Sequence, residues 1–271
     1  MAGRIHIPMA DVTSVLDELA EHWIGYSMPP PNRAIAEAQW TPDSRDAYCH
    51  RCGDSVAPGE ATPSGCGRCR NKAAIGDGFI RLGPHEGELR RWVNRVKFSQ
   101  WWAMGWMLGH RLGCAVGDVD QINTNDAIVV PMPMPWQRRL YRGIDHARLL
   151  ADGVGRVLNA PVVSMLSKRN DRPQSTRTPS DRARYAGKGM RLRRRIGGWN
   201  LRGAHVVVVD DVRTSGGSMR AAVRLIRSCK PDRVICATVT VSDDRARRQR
   251  AQQLRALQVD AGQDRQESRD G

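Results

Sequence analysis

Four cysteines fall in two short pairs, Cys49-x-x-Cys52 and Cys66-x-x-Cys69, with thirteen residues between the pairs. Each pair makes a tight knuckle whose thiolates face one metal, and four thiolates close a tetrahedral zinc shell that leaves no position for a substrate. The zinc is therefore expected to be structural. Unrelated buried thiols seldom arrange themselves as two such pairs, and a redox role is disfavoured because neither pair follows a strand and opens a helix. His50 reads as a bystander beside the thiols, and Cys114, Cys229 and Cys236 read as small core hydrophobes.

A second stretch, HVVVVDDVRTSGGSM over residues 205–219, joins an apolar strand to two acids and a turn of small residues that opens a helix. Ligands of open α/β sheets bind at the carboxyl ends of the strands. At a helix N-terminus the backbone N–H groups lack partners and the dipole favours an anion, so Thr214, Ser215, Gly216, Gly217 and Ser218 are placed to wrap a phosphomonoester. Acids beside a phosphate cradle repel the ligand unless they meet neutral hydroxyls or a metal. This points to a ribose 5-phosphate whose hydroxyls face Asp210 and Asp211. The spacing fits neither the Walker pattern GxxxxGK[ST] nor GxGxxG. A strand–turn–helix with an Asp-rich cap is the plainer alternative, and the TSGGS turn weighs against it. No Ser-His-Asp or Cys-His constellation emerges, and Asp145-His146 reads as a surface pair on a helix.

The elements needed to position these groups follow from the apolar pattern. Residues 10–24 carry apolar side chains at helical spacing and are stopped by a run of prolines, residues 87–113 read as one helix, and 145–158 as another. Apolar strands are predicted at 127–130, 162–166, 206–209 and 234–241, with a helix at 218–227. Short continuous Val/Ile runs separated by helices imply a mostly parallel sheet covered on both faces, hence an α/β fold. The organisation predicted is an extension over 1–47, a zinc ribbon over 48–72, the main domain over 73–242 and a charged tail over 243–271.

Composition sets the outer limits. The chain has 271 residues, 40% hydrophobic and 26% charged, enough for one packed domain and a small satellite. Neither a signal peptide nor a run of 18 apolar residues is present, so a soluble cytoplasmic protein without membrane insertion is expected, where thiols bind metal rather than pair. The net charge of +15 is uneven: residues 167–202 hold twelve Lys/Arg against Asp171 and Asp181, a local +10. That segment, poor in apolar periodicity, reads as a mobile loop over an anion site.

The strand, acid pair and Thr/Ser-Gly turn resemble the signature of type I phosphoribosyltransferases. The segments around 129–133 and 142–147, Arg138 and Arg139, the series Arg169, Arg172, Pro173, Gln174 and Arg182, the stretch 89–98 with Lys97, and the cysteine ribbon together resemble the ComF family, also typified by GntX. Two departures touch acceptor-side contacts: the usual RGFNQA appears as RGIDHA, and an Asn-containing stretch appears as RARY over 182–185. The resemblance implies phosphoribosyl pyrophosphate with Mg²⁺ as ligand, a type I phosphoribosyltransferase-like sheet flanked by helices, and catalytic roles for Asp210, Asp211 and Arg142. It also implies that Arg138, Arg139, Arg169 and Arg172, with the backbone at Met132 and Pro133, meet pyrophosphate. Three functions stay open: transfer of phosphoribosyl to an unidentified acceptor or hydrolysis of the donor, binding of single-stranded DNA with competence proteins in DNA uptake, and regulatory binding of a nucleotide-like signal.

Overall fold

A computed structural model of the chain describes residues 28–99, 101–119, 122–135, 143–168, 189–194 and 198–242. The central sheet holds β1 (Gly78–Pro84), β2 (Ala127–Pro131), β5 (His205–Arg213) and β6 (Arg233–Val241), in the order β1-β6-β5-β2 with every neighbour parallel. Parallel strands need both faces covered, and Val206 to Val209 are fully buried on both. Odd-numbered residues of β5, such as Val207 and Val209, pack with the helices α2 (Gly87–Phe98), α3 (Trp102–Gly117) and α4 (His146–Leu158). Even-numbered ones, Val206 and Val208, pack with α5 (Gly217–Arg227). This alternation, set by the two-residue period of a strand, sends neighbouring side chains of β5 into different layers.

Residues 87–113 do not form one helix. They form two helices, one ending at Phe98 and the next beginning at Trp102, with Trp101 turned into the core and its carbonyl accepting from the amide of Gly105. An unbroken helix of that length would run about 40 Å, well past a sheet of strands this short. On α3, glycines recur every fourth residue from Gly105 to Gly117. There α4 lies backbone to backbone: a Cβ on Gly153 would stand 2.7 Å from the His110 nitrogen and 2.8 Å from the Trp106 oxygen.

Three other expectations change. The strand predicted at 162–166 is reduced to one parallel bridge between Val162 and Val129; the chain then forms β3 (Leu166–Lys168), which pairs antiparallel with β4 (Met190–Leu192) as a small separate sheet. Cys114 is exposed on α3 rather than in the core, whereas Cys229 and Cys236 are buried as expected. Part of the supposed extension belongs to the packed body: α1 (Pro31–Glu37) buries Ile35, Trp40 meets Trp92 edge-on with ring centres 5.4 Å apart, and Asp43 pairs with Arg81. The helix predicted at 10–24, the tail 243–271 and residues 169–188 of the basic segment lie outside the described residues. Among the described residues no helix is long and apolar enough to cross a membrane.

Candidate functional site

The four thiols of the ribbon come together. Cys49 and Cys69 sulfurs are 3.6 Å apart, Cys52 and Cys66 3.7 Å, Cys66 and Cys69 3.8 Å, and all four lie within 4.8 Å of one another in a buried cluster. A tetrahedron with Zn–S bonds of about 2.3 Å has edges of about 3.8 Å. The cluster therefore has the size and donor set of a closed zinc shell. His50 takes no part: its Nε2 faces the Arg45 carbonyl at 2.7 Å.

The ribbon is seated on β1 by polar contacts. Arg81, almost fully buried, donates to the Gly53 carbonyl at 2.9 Å, to Ser55 Oγ at 2.9 Å and to Asp43 at 2.7 Å. Arg213, at the end of β5, is bonded to Asp54, two residues after Cys52. Phe79 lies under Gly53 and 5.7 Å from the Arg213 guanidinium carbon.

At the opposite edge of β5 the strand partners end unequally. The β2 ladder stops where Pro131 pairs with Val209 and the Met132 amide donates to Val209, but β6 continues beside β5 as far as Arg213. The two acids thus lie within the strand rather than at its end, at the point where the sheet opens on the β2 side. A cleft of about 230 Å³ forms there, lined by Lys97, Met132, Pro133, His146, Lys168, Asp210, Asp211 and Ser218 among others.

The acids occupy different surroundings, as alternation along the strand requires. Asp211 turns to the helix layer, where His146 Nε2 stands 2.7 Å and Lys97 Nζ 3.0 Å from its Oδ2. Burial alone would raise this carboxyl, but His146 and Lys97 outweigh it and hold it well below the usual carboxylate range. Asp210 turns to the other layer. Burial first, and then the charge of Asp211, push it up to about 7. The neighbouring acids are thus pushed in opposite directions by their surroundings.

His146 corrects the sequence reading of Asp145-His146 as a surface pair. Asp145 caps α4, accepting from the Arg148 amide at 3.2 Å, and His146 is buried against Asp211. Its place in the motif RGIDHA was the available signal. In the sequence Lys168 is one member of a basic run; its position in β3 brings it over the cleft.

Beyond Arg213 the turn is open: Thr214 and Ser215 are exposed, and Gly216 caps α5 with a φ of +74° that favours glycine. Two guanidinium groups hold its carbonyls, Arg213 donating to Thr214 at 2.9 Å and Arg220 to Ser215 at 2.8 Å. In a trans peptide the following N–H points opposite to the carbonyl, so the amides of Ser215 and Gly216 are turned away from those two arginines. Carbonyls drawn aside, with the following amides on the opposite face of each peptide, suit an anion. Of the arginines expected to meet pyrophosphate, Arg138, Arg139, Arg142, Arg169 and Arg172 all lie outside the described residues.

A larger cavity of 910 Å³ lies between the ribbon and the starts of β1 and β6. It has neither paired carboxylates nor a helix N-terminus, and the smaller cleft has both, which makes the cleft the better candidate.

Residues 144–263 match the family profile described as phosphoribosyl transferase domain. The match begins at the start of α4 and takes in β5, the turn, α5 and β6; the ribbon, β1 and β2 lie outside it. It supports the type I phosphoribosyltransferase fold: a parallel sheet flanked by helices, here preceded by a four-cysteine cluster. No curated protein matches the sequence.

Proposed function

We propose that the chain binds phosphoribosyl pyrophosphate, or a related ribose 5-phosphate ligand, in this cleft and transfers the phosphoribosyl group to an acceptor still to be identified. The observation that carries this reading is the pairing of a glycine turn with exposed Thr214 and Ser215, its carbonyls held aside by Arg213 and Arg220, with two neighbouring acids, of which Asp211 is engaged by His146 and Lys97. In such a transfer the bond from the anomeric carbon to pyrophosphate breaks through an oxocarbenium-like state. Catalysis then consists mainly of positioning and of stabilising charge on the leaving group.

The turn from Thr214 to Ser218 takes the 5-phosphate and Asp210 takes the sugar hydroxyls. Asp211, already engaged by His146 and Lys97, keeps that wall of the cleft in register. Lys97 and Lys168, with Arg138, Arg139, Arg142, Arg169 and Arg172, supply positive charge for pyrophosphate, and Met132 and Pro133 contribute backbone. A hard cation such as Mg²⁺ fits a carboxylate together with phosphate oxygens, and Asp210 is the acid open to it. When bound, that cation neutralises charge on the diphosphate. The ribbon takes structural zinc. The finer likeness to ComF proteins rests on the ribbon, on residues 89–98 with Lys97, on residues 129–147 and on Arg169, Arg172, Pro173, Gln174 and Arg182. A single-stranded DNA role rests on the basic segment 167–202, most of it outside the described residues.

Thermal denaturation tests the site. With Mg²⁺ and phosphoribosyl pyrophosphate at about 100 times Kd, the protein gains about 2.7 kcal/mol of stability. The double variant Asp210→Asn, Asp211→Asn loses that gain, and an undiminished shift in the variant excludes the assignment. Pyrophosphate release in the presence of candidate bases then separates transfer from binding.

A further inference from the structure

We infer that Asp54 and Arg213 form a strut through which the cysteine ribbon sets the shape of the phosphate turn, so that affinity for a sugar 5-phosphate depends on the ribbon. The inference rests on the ligand reading above and adds to it a positioning residue in each part of the molecule. Both side chains are buried, Asp54 at 5% and Arg213 at 7% exposure. Asp54 joins the two knuckles, for its second oxygen faces Arg68 Nε at 3.5 Å, and Arg68 lies between Cys66 and Cys69. On its other side Arg213 donates to the Thr214 carbonyl.

A guanidinium is a rigid planar fork, so its two arms cannot be moved independently. Displacing Asp54 turns the arm that holds Thr214, and with it the peptide plane carrying the Ser215 amide. A second contact runs the same way: Ile75, just after the ribbon, has its Cδ1 3.0 Å from where a Cβ on Gly216 would stand. Arg213 itself does not line the cleft and is not among the groups that meet a ligand. Buried ion pairs are on average poor stabilisers compared with apolar packing of the same volume, so one kept between two units is better explained by the geometry it enforces.

Isothermal titration of the full chain with ribose 5-phosphate, and separately with magnesium pyrophosphate, tests the strut. Zinc content and melting temperature are measured alongside for wild type, Asp54→Asn, Asp54→Glu and Arg213→Lys. Asp54→Asn is expected to retain wild-type zinc, to weaken ribose 5-phosphate at least tenfold and to leave magnesium pyrophosphate within twofold, with Asp54→Glu restoring part of the loss. Zinc retained with unchanged ribose 5-phosphate affinity overturns the inference, and so does an equal loss for both ligands, which marks a merely structural pair. Should Asp54→Asn lose its zinc, Arg213→Lys decides by the same two criteria, since it lies outside the ribbon. A wild-type protein that binds neither ligand refutes the ligand reading itself, and the strut falls with it.

Discussion

The ribbon and the sheet are held by different physics. The sheet is closed by apolar packing on both faces, with β5 and β6 buried along most of their length. In the ribbon the buried apolar cluster consists of the four cysteines themselves, with Val56 packed beside them. Its position on the sheet is fixed by a few buried hydrogen bonds and ion pairs from Arg81 and Arg213. A unit built from many weak contacts tolerates the loss of one, whereas a unit built from a few directional ones does not.

The sharpest way to break this contrast is to remove one thiol. Cys66→Ser is expected to abolish tight zinc binding, a loss on the order of 10 kcal/mol of apparent binding energy. The variant should be cut by protease within residues 48–72 while the far-ultraviolet circular dichroism of the sheet domain persists. If the whole chain melts together, the two parts are not independent. The converse experiment is Gly153→Val, which drives a side chain into the α3 backbone and should cost about 3 kcal/mol by chemical denaturation. Zinc content at low denaturant should not change.

The smallest effect separates the two acids. Asp210 has its folded pKa raised to about 7 from 3.8, so its contribution to stability is complete below about pH 4 and lost as pH rises through about 7. Asp211 has the opposite sign, contributing above its usual range and losing that contribution as pH falls. Asp210→Asn should therefore stabilise the ligand-free protein more at pH 8 than at pH 5, by about 2 kcal/mol. An equal change in melting temperature at both pH values would contradict the raised carboxyl.

Much of this architecture was legible in residue patterns. Two cysteine pairs define a cluster by spacing alone, and the run of valines before two acids can only be a strand covered on both faces. The environment of each acid was not legible, because it depends on which layer α2 and α4 occupy. Nothing local in Lys97 or His146 reveals that both converge on Asp211. Arg213 was hidden differently: between an acid pair and a glycine turn it occupies a position that looks variable, and its partner lies 159 residues earlier in the chain. Helix periodicity also failed to show that one helix ends at Phe98 and the next begins at Trp102, beside the buried Trp101.

The glycines between α3 and α4 have one more consequence. Because that contact is main chain against main chain, α4 is indexed along α3 like a rack against its pinion and cannot creep by part of a turn. His146 is the first residue of α4 and inherits that fixed station. For a molecule entering the cleft, swivelling the imidazole is therefore an easier way to part it from Asp211 than shifting the rod that carries it.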